Sequence, residues 1–264
     1  MNKATEKKLA GSLTAETIEL LPFLPYLLQD FWELGSDPGV MTELIKKHVS
    51  LSEKTTVLDL ACGKGAVSVR VAQKLQTRVK GVDLIPEFID IATQKAHEYD
   101  VAGLCDFAVG DINETVATET DYDIVILGAV GDVLGNPSET LRKLKRVVKT
   151  GGHILIDESY MKDDGKPEDI RYKNYEYLTE KQWAALFAES GLELVETVSA
   201  SSLESPENLD SVSGMRYITK RANELMEKHP DKKAMFEGYV RSQQSEYDDI
   251  DNSLEGAVWI LRKL

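Results

Sequence analysis

Val57-Leu58-Asp59-Leu60-Ala61-Cys62-Gly63-Lys64-Gly65 is the stretch on which the fold turns. Its first residues form a short apolar run, the pattern of a strand buried on both faces. A turn of small residues follows, and from Val67 the apolar spacing becomes helical. Gly63 and Gly65 carry no Cβ, so the turn can take unusual dihedrals while a ligand lies against the backbone. A helix starting here directs unpaired N–H groups at such a ligand. Asp59 would stand at the carboxyl end of the strand, where open α/β sheets bind their ligands. By itself the outline also fits a dinucleotide loop, and tight packing alone also demands glycine.

Outward from this loop the pattern repeats. Apolar runs at 56–60, 79–82, 105–109, 124–127, 153–157 and 192–198 alternate with helical patterns at 67–75, 86–99, 138–148 and 180–189. Parallel strands need such crossovers, so the order predicts a doubly wound α/β sheet. A last apolar run, 257–261, closes the chain. Before the core, a helical stretch at 14–32 is interrupted by Pro22 and Pro25, each of which removes a backbone donor. Gly35-Ser36-Asp37-Pro38-Gly39 reads as a turn, and a short helix runs on to His48. Between Ser202 and Ser253, Pro206 precedes a helical pattern from Leu209 to Lys228, which breaks at His229-Pro230 and resumes to Asp249.

The other strand ends add to the first. The second closes in Gly81-Val82-Asp83, placing a carboxylate that can accept both ribose hydroxyls of an adenosine group, with Leu84 beside it. The third closes in Val109-Gly110-Asp111-Ile112 and the fourth in Ile126-Leu127-Gly128-Ala129, while Gly151-Gly152 precedes the fifth. This ordered set resembles the class I S-adenosylmethionine-dependent methyltransferases over roughly residues 55–199. Asp59, Gly63 and Gly65 match the family's Asp-x-Gly-x-Gly-x-Gly loop, with Ala61 in place of the first glycine.

The resemblance implies a mostly parallel, seven-stranded Rossmann-like sheet with an antiparallel last strand, N-terminal helices and a helical insertion before that strand. It implies S-adenosyl-L-methionine as cofactor. Asp59, Ala61, Cys62, Gly63 and Gly65 would cradle its methionine portion, and Asp83 its ribose, with Leu84 in the same set. Asp111 would accept from the adenine amino group, Ile112 would lie on the ring, and Gly128 and Ala129 would meet the methionine end. Asp83→Ala is then expected to weaken donor binding and to leave unliganded stability nearly unchanged.

On the acceptor side, Asp132 follows the fourth strand, and Glu158 and Tyr160 follow the fifth. These are the candidate catalytic residues, able to orient or deprotonate a nucleophile, although alignment alone can suffice for methyl transfer. Capping or structural roles are the bland alternative for each. Arg216, Tyr217 and Trp259 could form a basic and aromatic acceptor cluster; surface pairing and core packing are the competing readings.

Composition excludes several classes. Against 31 Lys plus Arg stand 45 Asp plus Glu, a net charge of −14, which repels nucleic-acid backbones and anionic membranes. Two cysteines and four scattered histidines suggest neither a disulfide framework nor a metal site. No long apolar segment is present, so a cytoplasmic protein with no membrane partner is expected. The organisation expected is an N-terminal helical extension (1–50), an S-adenosylmethionine-binding core (51–201), a helical cap insertion (202–253) that shapes the acceptor pocket, and a closing strand (254–264). The function expected is methyl transfer to a small-molecule acceptor, with oligomeric state open. A non-catalytic S-adenosylmethionine sensor and a nicotinamide-dependent oxidoreductase are the alternatives.

Overall fold

The computed structural model describes residues 3–172, 177–203 and 211–264; Pro206 and Leu209 lie outside the described residues. The chain begins with α1 (Lys3–Ser12), α2 (Leu24–Leu27), α3 (Pro38–His48), β1 (Thr56–Leu60), α4 (Ala66–Leu75), β2 (Arg78–Asp83) and α5 (Pro86–Glu98). Next come β3 (Cys105–Val109), α6 (Ile112–Thr118), β4 (Tyr122–Gly128), α7 (Pro137–Val147) and β5 (Val148–Met161). Last are α8 (Glu180–Glu189), β6 (Leu192–Ser199), α9 (Ser211–Lys228), α10 (Lys233–Asn252) and β7 (Leu254–Lys263).

The seven strands form one sheet in the order β3-β2-β1-β4-β5-β7-β6. The pairs β3/β2, β2/β1, β1/β4 and β4/β5 are parallel, and β6 pairs antiparallel with β7. This is the Rossmann-like architecture that the alternation of apolar runs predicts, with the order reversing at β1 and β4. Helices cover the sheet because its strands are apolar on both faces. On one face Met41, Leu44 and Ile45 of α3 and Val67 and Val71 of α4 share a core with Val57, Ile124, Ile126 and Leu155. Trp259, Trp183 and Phe187 form a buried aromatic group, with ring centroids 5.2–5.6 Å apart around Trp259, so Trp259 packs the core.

By internal contacts the chain divides into two compact units. One comprises Trp32–Glu158, Lys181–Ser199 and Ala257–Leu264; the other comprises Met1–Phe31, Ser159–Glu180 and Ala200–Gly256. The division therefore falls inside the expected N-terminal extension and takes in part of the expected core as well as the insertion. In the second unit Ile218, Leu225 and Phe236 bury against Leu20, Leu24 and Leu27, a core that the 202–253 segment shares with the N-terminal helices. Arg221 reinforces it by gripping Asp30 with two N–H donors at 2.6 and 2.7 Å. Around the prolines the backbone tightens into a 3₁₀ turn at Ile18–Phe23 followed by α2, because Pro22 has no N–H to give to a regular helix.

Candidate functional site

The loop after β1 is built from left-handed residues. Ala61, Gly63 and Gly65 have φ of 57°, 53° and 73°, and Gly65 caps α4. Left-handed backbone is steric strain for alanine and free for glycine, so Ala61 carries a cost that the two glycines avoid. The space of the missing Cβ atoms is filled by protein. A Cβ on Gly65 would stand 2.7 Å from the Ala92 methyl and 3.1 Å from the Phe107 ring; one on Gly63 would stand 3.3 Å from Leu34 Cδ1. Packing and dihedral angle together thus require both glycines, whatever lies along the open side of the loop.

Two buried carboxyls and one half-buried one lie at this loop and the adjoining strands. Asp59 accepts the Ser68 hydroxyl at 2.6 Å, and its carboxyl is pushed up to about 7, first by burial, with that hydroxyl opposing and Asp83 adding. Asp83 is only 6% exposed and ties two turns together: Gly63 N–H and Ile85 N–H each donate to one of its oxygens at 2.9 Å. Burial raises its pKa, while the N–H groups of Ile85, Gly63 and Leu84 work against that rise. The unliganded loop therefore depends on Asp83, which corrects the expectation that Asp83→Ala would spare unliganded stability. Each oxygen still has a lone pair to offer. The third, Asp157 of β5, in register with Gly128 at the end of β4, is pushed up to about 7, first by desolvation, with Asp37 adding.

The remaining expected residues fall into distinct places. Burial and the carboxylates of Asp59 and Asp83 hold the Cys62 thiol well above its usual range, so it stays protonated and packs under the turn. Leu84 is half-buried beside Asp83. Asp111 is the N-cap of α6, accepting from Asn113 N at 2.8 Å and from its Nδ2 at 3.2 Å, and Ile112 is buried in the first turn of that helix. Gly128 and exposed Ala129 end β4, with Ala129 N donating to Asp157 O at 2.9 Å. Asp132 lies in the turn that Gly135 N closes onto its carbonyl. Glu158 follows Asp157 on β5, so strand alternation sends it to the opposite face. Tyr160 lies further along β5, in the other unit, as do Arg216 and Tyr217 on α9.

Three features escaped the sequence reading. Residues 32–37, read only as helix end and turn, run across the strand ends. Trp32 stacks on Tyr99 at 5.1 Å, takes the Arg70 guanidinium 5.2 Å from its ring centroid, and donates Nε1–H to the Lys64 carbonyl at 2.9 Å. Gly35, at φ 107°, passes close over Ala129, and the Ser36 hydroxyl occupies the place where a Cβ on Gly128 would lie. Lys64, inside the glycine loop, is 2% exposed with Nζ 5.5 Å over the Phe88 ring. Asp157, in register with Gly128 of β4, was passed over for its neighbour Glu158. Among the described residues no group of acids, histidines and cysteines could hold a metal, and no helix is long and apolar enough to cross a membrane.

Such a sheet, reversing at β1 and β4 with a left-handed glycine loop between, is the fold of the class I S-adenosylmethionine-dependent methyltransferases. A family model described as "Methyltransferase domain" matches residues 51–233, and the chain belongs to that family. It is 34% identical over 118 residues to the putative methyltransferase YqeM of Bacillus subtilis (strain 168), covering 42% of this chain and 44% of that protein. It is 22% identical over 135 residues to the sterol 4-C-methyltransferase strm-1 of Caenorhabditis elegans, covering 51% of this chain and 40% of that one. The chain thus spans less than half the length of these curated relatives. In fold it is similar to a SAM-dependent methyltransferase from Geobacter sulfurreducens, solved in complex with S-adenosyl-L-homocysteine. The TM-score is 0.74 at 22% identity, over 92% of this chain and 98% of that one.

Proposed function

We propose that this protein is a methyltransferase that binds S-adenosyl-L-methionine over the carboxyl ends of β1, β2 and β4 and methylates a small-molecule acceptor. The observation that carries the reading is the Asp83 carboxylate, held by Gly63 and Ile85 N–H groups against the left-handed loop 61–65. A carboxylate so fixed offers its remaining lone pairs to vicinal hydroxyls such as those of a ribose. Burial raises the pKa values of Asp59, Asp83 and Asp157, and a cationic ligand beside them would favour their ionised forms. The bound donor supplies an electrophilic methyl on a sulfonium.

The chain's own residues then position, exclude water and set charge. Asp83 accepts the ribose hydroxyls, with Leu84 beside it. The α4 N-terminus and the Ala61, Cys62, Gly63 and Gly65 backbone face the methionine portion, and the Gly128 and Ala129 backbone faces its far end. Asp59, kept from full ionisation, supports the loop through Ser68 rather than reaching a ligand. Asp111 keeps its capping bond at the adenine end, with Ile112 behind. The −14 net charge supports a small acceptor over a nucleic acid.

Calorimetry with S-adenosyl-L-homocysteine and with NAD tests the donor site: heat with the first and none with the second is expected, and the reverse sinks the reading. Methyl-labelled donor in a metabolite extract, followed by mass spectrometry, tests the acceptor class. Label found only in protein or nucleic acid would overturn the small-molecule assignment.

A further inference from the structure

Residues 32–37 cross the loop after β1 and the end of β4 as a strap with two fixed ends. At the first, Trp32 stacks on Tyr99 and donates Nε1–H to the Lys64 carbonyl at 2.9 Å. At the second, Asp37 caps α3, accepting from Gly39 N at 2.7 Å and Val40 N at 3.1 Å. Between these ends the strap touches three residues of the donor reading in turn. Leu34 Cδ1 lies 3.3 Å from the place of a Cβ on Gly63, and a Cβ on Gly35 would stand 2.6 Å from the Ala129 methyl. Ser36 lays its hydroxyl against Gly128, which has no Cβ to keep it away. Among the described residues, no backbone N–H of the strap donates to a backbone carbonyl.

The Ser36 hydroxyl has no hydrogen-bond partner, although the residue is only 9% exposed. A buried hydroxyl left unpaired is costly, and native proteins keep few of them. Thr77 and Trp183 hold the other two such groups among the described residues. They stand just before β2 and in the aromatic group around Trp259, so only the Ser36 hydroxyl meets a residue of the donor reading.

We infer that residues 34–36 form a clasp over the amino-acid end of S-adenosyl-L-methionine, with the Ser36 hydroxyl hydrogen-bonded to that end. The inference rests on the donor reading above, which gives the 61–65 loop and the Gly128 and Ala129 backbone to the methionine portion. The clasp lies over those residues, so the donor enters when 34–36 lifts and is held when it closes. Gly35 supplies the joint: at φ 107° it holds a backbone conformation that other residues rarely adopt. The fixed ends, Trp32 and Asp37, confine the movement to the residues between them. An amino-acid end carries an ammonium and a carboxylate, and a hydroxyl serves either, accepting from the first or donating to the second.

The experiment compares whole-chain wild type with Ser36→Ala by calorimetry, using S-adenosyl-L-homocysteine and 5′-methylthioadenosine, which lacks the amino-acid end. Ser36→Ala should bind S-adenosyl-L-homocysteine at least about tenfold more weakly, the loss expected for a hydrogen bond to a charged group, and 5′-methylthioadenosine within about twofold of wild type. Its melting temperature without ligand should stay within about 2 °C of wild type or rise, because no partner inside the protein is lost. Hydrogen exchange at residues 33–37 of wild type should slow with S-adenosyl-L-homocysteine and not with 5′-methylthioadenosine. Unchanged S-adenosyl-L-homocysteine affinity in Ser36→Ala, or parallel loss of both ligands, would overturn the inference. A larger fall in melting temperature would do the same, since the hydroxyl would then be bonded within the protein. So would exchange that S-adenosyl-L-homocysteine leaves unchanged or that both ligands slow alike. A wild type that gives heat with neither ligand refutes the donor reading and the clasp with it, and that result is told apart because it appears before any variant is compared.

Discussion

Gly65→Ala separates a loop shaped by packing from one shaped by its ligand. The new methyl would stand 2.7 Å from Ala92 Cβ, 3.1 Å from Phe107 Cζ and 3.2 Å from Ala92 Cα, and the last of these is backbone that cannot swing aside. The residue must also hold φ at 73°, which costs an L-residue about 1–2 kcal/mol. Overpacking of a filled site costs a further ~1–3 kcal/mol. The unliganded protein should lose about 2–5 kcal/mol, or roughly 4–20 °C in melting temperature for a chain of this size. Gly63→Ala should cost less, about 1–2 kcal/mol, because its methyl meets only the Leu34 side chain at 3.3 Å, which can turn away. Ala61→Gly should be close to neutral, since the strain it releases at φ 57° is offset by the extra chain entropy that glycine gives the unfolded state. Urea unfolding followed by circular dichroism, without added ligand, gives all three. If Gly65→Ala unfolds at the wild-type midpoint while donor binding collapses, the glycine serves ligand approach and the packing argument is wrong.

The acids make further predictions. Asp59 and Asp157 titrate at about 7 in the fold and near 4 when unfolded, so the folded state holds more protons between those values. Their stabilising effect is present below about pH 4 and is lost as pH rises through 7; unfolding free energy should fall from pH 5 to 8, and Asp59→Asn should flatten that slope. Ser68→Ala removes the 2.6 Å bond to Asp59 and should cost about 1.5–3 kcal/mol at pH 8, where the acceptor is charged, but about 1 kcal/mol at pH 5; equal costs at both would refute it. Asp83→Ala should weaken S-adenosyl-L-homocysteine binding by about 1.5–3 kcal/mol and also lower the unliganded melting temperature, because Gly63 and Ile85 N–H lose their acceptor. Trp32→Phe should cost about 0.5–1.5 kcal/mol of unliganded stability through the lost bond to the Lys64 carbonyl, read by urea unfolding.

The sheet was legible because its evidence is local. Strands β1 and β3 and helix α8 occupy 56–60, 105–109 and 180–189, the ranges their apolar spacing predicts, and the other core elements differ at their ends. Elements without that spacing were missed. Helix α6, Ile112–Thr118, is seven residues of Ile-Asn-Glu-Thr-Val-Ala-Thr, too short and too rich in β-branched residues to carry a helical period. Its N-cap, Asp111, drew attention as a ligand acid because capping and ligand binding use the same carboxylate chemistry. Strand β5 runs on to Met161, well past the apolar run, since its later residues are only partly buried and alternation weakens there. Residues 32–37 were unreadable for another reason. Their importance comes from what they touch, Lys64, Gly63, Gly128 and Asp157, all distant in sequence.

Asp59, Asp83 and Asp157 also say something that stability alone does not explain. Each is a carboxyl whose desolvation is the largest influence on its titration, and for Asp59 and Asp83 hydrogen bonds from Ser68, Gly63 and Ile85 offset only part of it. Burying an acid in this way costs free energy, which neutral residues of similar shape would spare. These three lie at or next to the carboxyl ends of β1 and β2 and, on β5, beside the end of β4, on the edge where sheets of this topology bind ligands. Unfavourable burial concentrated at one edge, beside a strained Ala61, is the pattern of a site whose cost is offset on binding rather than on folding. A cationic sulfonium with a ribose would offset it in both respects, by charge toward the acids and by hydroxyls toward Asp83. Loss of the sulfonium charge on methyl transfer then weakens the hold on the product, so the same buried acids that favour donor binding also favour product release.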